Sequence, residues 1–366
     1  MISRPVSVAD IPTPALVVDV PAMERNIRRL AGFFAAGPCR LRPHFKAHKT
    51  PEIARRQLAA GSCSGLTCAT VGEAEVAADF CDDILIANQV LGPDKAARVA
   101  ALAERIDIKV AIDSPAGLKE IGAAARRAGV TVGVLIEVNI GFRCGVAPGE
   151  EALALARRAA GTKGVALRGL MGYEGHVVGL EDRGEREAGA RKALERLLST
   201  VPLLRQAGLP CEIVSAGGTG TYDITGRLEG VTEVQAGSYV LMDTAYSKLD
   251  LPFELALSVL GTVLSRPRPT LAVADCGHKS CTEDHGFPAV KGVEGASVLF
   301  LADEHALIGI PAESDVRPGG RVELWPSHID PTINLHDRIY AVEGESVIDI
   351  WPVAARGYPQ QRREAP

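Results

Sequence analysis

The sequence predicts an α/β protein, a (β/α)8 TIM-like barrel followed by a C-terminal mostly-β domain. Three observations carry that expectation. Between about residue 40 and residue 240, eight short apolar, β-branched runs alternate with helical stretches rich in Ala, Arg and Glu. No Gly-rich fingerprint follows the first of those runs, which counts against an open doubly wound sheet. From about Phe253 the helical periodicity stops, and strand-like runs are separated by Pro, Gly and Asp turns.

Taken in order, "TPALVVDV" reads as a strand and "PAMERNIRRLAGFF" as a helix, with Pro21 in the first turn where a missing N–H costs nothing. The eight barrel runs are "RLRPHF", "GLTCA", "DILIA", "IKVAID", "GVLIEVN", "LRGLMGY", "EIVSAGG" and "EVQAGSY". Helices such as "TPEIARRQLAAG" and "PAGLKEIGAAARRAG" lie between them and end on a glycine, as a C-cap should. The later strands are "LALSVLGTVLS", "TLAVADC", "ASVLFLAD", "HALIGI", "RVELWP", "RIYAV" and "SVIDIWPVAA". The expected division is a barrel over residues 15–245 and a β domain over 246–366, joined by residues 1–14.

A chain of 366 residues, 46% hydrophobic and 23% charged, can bury a substantial core in each of two domains. Its net charge of -5 argues against general nucleic-acid binding. No apolar run approaches the roughly 20 residues of a membrane span, and "MISRPVSVADIPTP" lacks the apolar centre of a signal peptide. The expected address is the cytoplasm, with no membrane partner. Among the eight cysteines only Cys63 with Cys68 and Cys276 with Cys281 lie close, and neither spacing is CxxC. They read as buried free thiols in a reducing compartment.

In such a barrel the active site lies at the C-terminal ends of the strands. Those ends place Lys46, Thr67, Cys68, Asn88, Gln89, Asp113, Asn139, Arg143, Tyr173, His176, Ser215, Gly217, Gly218, Thr219, Gly237, Ser238 and Tyr239. Strand alternation puts Arg42, His44 and Lys46 on one face and Leu41, Pro43 and Phe45 on the other. The apolar face packs outward on helices, so the basic face turns inward and Lys46 stands at the mouth. There, cationic surroundings disfavour a further ammonium and leave an amine available for Schiff-base formation; a solvated lysine is the plainer alternative. His48 and Lys49 fall in the following loop, with Lys49 expected in solvent or on a phosphate. The turns "SAGGTGTYD" and "QAGSY" offer backbone N–H groups and hydroxyls where this barrel usually holds phosphate. A reactive lysine on the first strand and phosphate cradles after the seventh and eighth together describe a pocket for pyridoxal phosphate.

With those features the chain resembles the fold-type III pyridoxal-phosphate enzymes, the alanine-racemase-like barrels, and within them the D-threonine aldolase and D-serine dehydratase branch. The resemblance runs nearly end to end, through "RPHFKAHKT", "EVNIGFRCG", "GLMGYEGH", "SAGGTGTYD", "QAGSYVLMD" and "PSHIDPTINLHD". It implies that Lys46 is the cofactor lysine and that Arg143 lies near the cofactor's phenolic oxygen. It implies Tyr173 at the cofactor and His176 near its ring or the substrate. Ser215, Gly217, Gly218, Thr219, Gly237, Ser238 and Tyr239 match the phosphate-binding turns. It also implies a homodimer in which each site is completed by the other subunit.

His328 and Asp330 decide the branch. Ligands at i and i+2 can share one divalent ion, although "HID" by itself is most often a coincidental pair. The dehydratase-like members carry His-x-Cys with zinc, whereas oxygen in place of sulfur favours Mn2+ or Mg2+ over Zn2+. The expected activity is therefore a metal-dependent aldolase that cleaves D-threonine and related D-3-hydroxy-amino acids to glycine and an aldehyde, with Lys46 and His176 catalytic. Three alternatives stand beside it. One is an aldolase for 3-hydroxy-D-aspartate, its second carboxylate held by cations around "CGHKSCTEDHG"; apart from that, His278 and His336 are candidate substrate contacts, with exposed or structurally satisfied histidines the plainer account of each. The second is a dehydratase acting on D-serine or D-threo-3-hydroxyaspartate. The third is a non-catalytic pyridoxal-phosphate carrier.

Overall fold

The computed structural model describes residues 6–141 and 143–357, and the chain divides into two compact units. The first five and last nine residues, expected in the β domain, lie outside the described residues. One unit holds Leu30–Lys46 and Ile53–Gly237; the other holds the chain up to Arg29, Ala47–Glu52 and Ser238–Gly357. Among the described residues no helix is long and apolar enough to cross a membrane.

The first unit is the barrel. Its parallel strands are Arg40–Leu41, Leu66–Cys68, Asp83–Gln89, Asp107–Ile112, Val132–Glu137, Val165–Met171, Ile213–Ala216 and Glu233–Val234. Each coincides with one of the eight β-branched runs. The first strand pairs with the eighth, and parallel bridges Leu41–Cys63 and His44–Thr67 join it to the second, so the sheet closes on itself.

Alternation then fixes what faces the interior. Leu85 and Ala87 of the third strand meet Ala111, Leu135 and Met171 of the next three in one buried cluster, midway up the barrel. Below that layer Arg42 pairs with Glu233 at 2.8 Å and Asp83 at 2.5 Å, while Lys109 pairs with Asp83 at 2.9 Å and Asp107 at 2.8 Å. Strands one, three and four are not all neighbours, so these side chains meet across the interior. Gly65, at φ +131°, has no room for a side chain: a Cβ there would sit 2.6 Å from Arg42 Nη1.

The second unit is a ten-stranded, mostly antiparallel sheet. Its long strand Leu257–Arg268 bends at register shifts on either side of Ser265, and pairs with Leu271–Ala274 and Arg321–Trp325. Strand Ala15–Asp19, assigned to the barrel by the expected boundary at residue 15, lies in this sheet between Leu257–Arg268 and Arg338–Glu343. The reason is burial: Ala15 and Val17 pack with Ile11, Leu260, Tyr340, Val342 and Val347 in one core. All eight cysteines are free thiols, five of them buried. Burial pushes Cys39, Cys276 and Cys281 up to about 12, which keeps them inert.

Candidate active site

Past the first barrel strand the chain turns through Phe45–Ala47, a single 3-10 turn. Phe45 and Ala47 are buried and Lys46 between them is exposed, so packing on both sides holds the lysine outward at the strand end. Among the other members of the basic decade, Lys49 departs from expectation. Arg42 faces inward, as alternation requires, but its guanidinium is held by Glu233 and Asp83 at the opposite end of the strands, away from any phosphate turn. Lys49 is buried, neither solvated nor on a phosphate turn: at φ +52° it donates from Nζ to Asn334 Oδ1 at 2.9 Å. His48 is also buried, and its Nδ1 accepts from the Thr50 N–H at 3.1 Å.

Arg143 and Tyr173 come together, with the guanidinium 6.0 Å from the ring centroid. Arg143 also lies 3.8 Å from the buried carboxylate of Glu137, which takes hydrogen bonds from Gln89 and Cys144. Burial raises the Glu137 pKa, and the Arg143 charge acts against that rise. Cys144 is pushed up to about 11 by burial and by Glu137, so "GFRCG" supplies an arginine and no thiolate. His176 is exposed and its ring lies against the backbone of Gly141, where a Cβ would approach Cε1 to 2.7 Å.

The turn after the seventh strand runs from Ala216 into the 3-10 turn Thr219–Thr221 and the short helix Tyr222–Thr225. Gly217, Gly218 and Thr219 are buried there, and Gly217 adopts φ +80°, the left-handed region open to glycine. Tyr173 lies over Gly218, whose Cβ would be 3.4 Å from the ring. Ser215 sits one step deeper and accepts from Gln235 Nε2 at 2.8 Å. Glu174, which sequence reasoning passed over, is fully buried beneath this turn. Its carboxylate accepts from the Gly217 N–H at 3.1 Å, Thr221 Oγ1 at 2.8 Å and Thr225 Oγ1 at 2.6 Å.

The barrel residues fit pyridoxal phosphate: an outward lysine, an arginine beside a tyrosine, and a buried glycine turn with hydroxyl side chains, in which the Gly217 and Gly218 amides themselves donate within the protein. Gly237 closes the barrel unit, while Ser238 and Tyr239 open the 3-10 turn Ser238–Val240 of the other unit. Tyr239 is fully buried with its ring 5.7 Å from Phe253.

In the β unit His328 caps helix Ile329–Asn334, and its Nε2 lies 3.8 Å from Asp330 Oδ2. Atoms that share one ion at about 2.1 Å each can be about that far apart, so the pair fits a divalent metal. Three further residues organise it, none visible from the motif. Asp284 meets His328 Nδ1 at 2.5 Å, and His285 stacks on the His328 ring at 4.1 Å. Asp284, His285 and His328 bring their ligand atoms within 4.8 Å of one another. Asp243 accepts from the N–H groups of Tyr246 and Ile329, and burial pushes its pKa up to about 6 despite those bonds.

The lysine of "CGHKSCTEDHG" is exposed beside two exposed acidic side chains. Lys279 pairs with Glu304 at 2.8 Å and Asp303 at 3.6 Å. His336 Nε2 meets the Ser280 carbonyl at 2.8 Å, and His278 is exposed.

The family model for the alanine racemase N-terminal domain matches residues 18–245, and that for a serine dehydratase domain matches 256–342. A D-threonine aldolase from an Arthrobacter species is 40% identical over 96% of this chain and 94% of its own. A 3-hydroxy-D-aspartate aldolase from Paracoccus denitrificans is 33% identical over 95% of this chain and 93% of its own. The crystal structure of a D-threonine aldolase from Filomicrobium marinum superposes with a TM-score of 0.93 at 38% identity, covering 96% of this chain and 97% of that one.

Proposed function

The chain belongs to the family of the alanine racemase N-terminal domain, and from that premise we propose that it is a lyase, an aldolase dependent on pyridoxal phosphate and a divalent metal. It cleaves D-threonine and related D-3-hydroxy-amino acids, giving glycine and an aldehyde. The relative at 40% identity, itself a D-threonine aldolase, supports the reaction class. The observation that carries the branch is the oxygen donor Asp330 Oδ2 facing His328 Nε2 at 3.8 Å.

When bound, the cofactor supplies an electron sink for the charge left at Cα, and the ion supplies a Lewis acid for the β-hydroxyl. The chain's own residues do the rest. Lys46 would hold the cofactor through its amine and release it to substrate. Arg143, with Glu137 3.8 Å from its guanidinium, would supply the positive charge that keeps the cofactor's phenolic oxygen ionised. Gly217, Gly218 and Thr219 would hold the phosphate, and His328 with Asp330 would hold the ion. His176 takes the β-hydroxyl proton, directly or through water, as the Cα–Cβ bond breaks. The hard oxygen ligand favours Mn2+ or Mg2+ over Zn2+. A homodimer with shared sites, working in the cytoplasm, completes the proposal; family resemblance supports the dimer.

Purified protein incubated with D-threonine, D-serine and 3-hydroxy-D-aspartate, with and without a chelator, tests the reading. Glycine and an aldehyde, lost with chelator, support it. Oxo acid and ammonia would sink it in favour of a dehydratase, and no turnover by the metal-loaded protein would favour a carrier. Lys46→Ala should abolish the Schiff-base absorbance of the bound cofactor.

A further inference from the structure

Glu174 stands between Tyr173 and His176 in "GYEGH", yet the mechanism above does not use it. A carboxylate with no exposed surface needs strong partners, because an uncompensated buried charge is costly. Gly217, Thr221 and Thr225 donate to it as dipoles, and all three come from one segment 43 to 51 residues along the chain. Gly217 reaches Oε2 through its amide; Thr221 and Thr225 reach Oε1 through their hydroxyls.

The direction of these bonds matters. Thr221 has one hydroxyl proton, and giving it to Glu174 leaves its lone pairs for the Gly218 N–H, which donates to Oγ1 at 3.4 Å. One carboxylate therefore engages two consecutive amides, one directly and one through a hydroxyl, and so fixes the path of the turn without those amides themselves facing an anion. It also ties that turn to the segment that carries Tyr173 and His176.

We propose that Glu174 is a positioning residue that preorganises the Gly217–Thr219 turn for the cofactor's phosphate. The inference rests on the reading that this turn holds phosphate. Glutamine replaces it only in part. With its oxygen toward the threonines, its NH2 opposes the Gly217 N–H. Turned over, it accepts from Gly217 and donates to both hydroxyls, which keeps the bonds but loses the charge that strengthens them.

The experiment titrates apoprotein with pyridoxal phosphate and, separately, with pyridoxal, which keeps the aldehyde and lacks the phosphate. Binding is read from the Schiff-base absorbance. Glu174→Gln should raise the Kd for pyridoxal phosphate by about tenfold or more, the worth of one charged hydrogen bond, and leave that for pyridoxal unchanged. Thr225→Val keeps the carboxylate and its other two donors, so it tests the same point in a variant less prone to misfold. It should weaken pyridoxal phosphate selectively too, and Thr225→Ser should restore binding. Wild-type affinity in both Glu174→Gln and Thr225→Val overturns the proposal, as does an equal loss for both ligands. Wild-type protein that binds pyridoxal but gains nothing from the phosphate would remove the phosphate reading itself, and the proposal with it.

Discussion

Asp284 Oδ2 lies 2.5 Å from His328 Nδ1, and this contact decides which imidazole nitrogen faces Asp330. The carboxylate accepts the Nδ1 proton, so the lone pair is left on Nε2, the atom 3.8 Å from Asp330 Oδ2. Partial burial works against the charge on Asp284, but the hydrogen bond from His328 holds its pKa below the usual carboxylate range.

Asp284→Asn should therefore loosen the imidazole without touching either proposed ligand. Divalent-ion affinity should fall by about tenfold to a hundredfold, as measured by Mn2+ titration calorimetry. An unchanged affinity would mean that stacking on His285 alone orients the ring.

Asp330→Cys replaces the hard donor with a soft one at the same position. Zn2+ affinity should rise relative to Mn2+, read as a reversal in competition binding followed by the electron-paramagnetic signal of free Mn2+. If Mn2+ still outcompetes Zn2+, some other residue sets the metal preference.

Arg42 at the base of the barrel serves stability. Arg42→Met leaves Glu233 buried without its guanidinium, and unfolding should become easier by about 3 kcal/mol by denaturant titration. The loss should depend on pH. Burial works against the Asp83 charge, but Arg42 and Lys109 together hold its pKa below the ordinary value. A depressed carboxylate contributes stability above its unfolded pKa and loses it as pH falls through its folded pKa. The gap between wild type and variant should accordingly narrow in acid; a gap that is constant down to the acid transition would separate Asp83 from the effect.

The eight barrel strands were legible because each is a local run of β-branched residues, and alternation along them placed Lys46, Tyr173 and the glycine turns at the strand ends. What escaped has partners far along the chain. Strand Ala15–Asp19 gives no local sign that it pairs with residues near Leu257 and Ile339. Nothing local marks Glu174 or Asp284 until the fold brings Thr225 and His328 to them. Lys49 sits in a basic cluster, yet its acceptor lies 285 residues away. Tyr239 follows a glycine turn, and nothing local says that its ring goes to Phe253.

The segment Ala47–Glu52 belongs to the β unit, although it interrupts the barrel directly after Lys46. Lys49 binds it there twice, through Asn334 at 2.9 Å and through its own carbonyl, which accepts the Ala355 N–H at 3.1 Å. The units are thus interlaced in the gene, and neither can be exchanged as one uninterrupted stretch. A chimaera joined at Gly237 would leave these six residues facing a foreign Asn334 position. Recombination within the family should then favour transfers of the whole chain, which keeps the proposed cofactor lysine and the proposed metal-binding histidine inherited together.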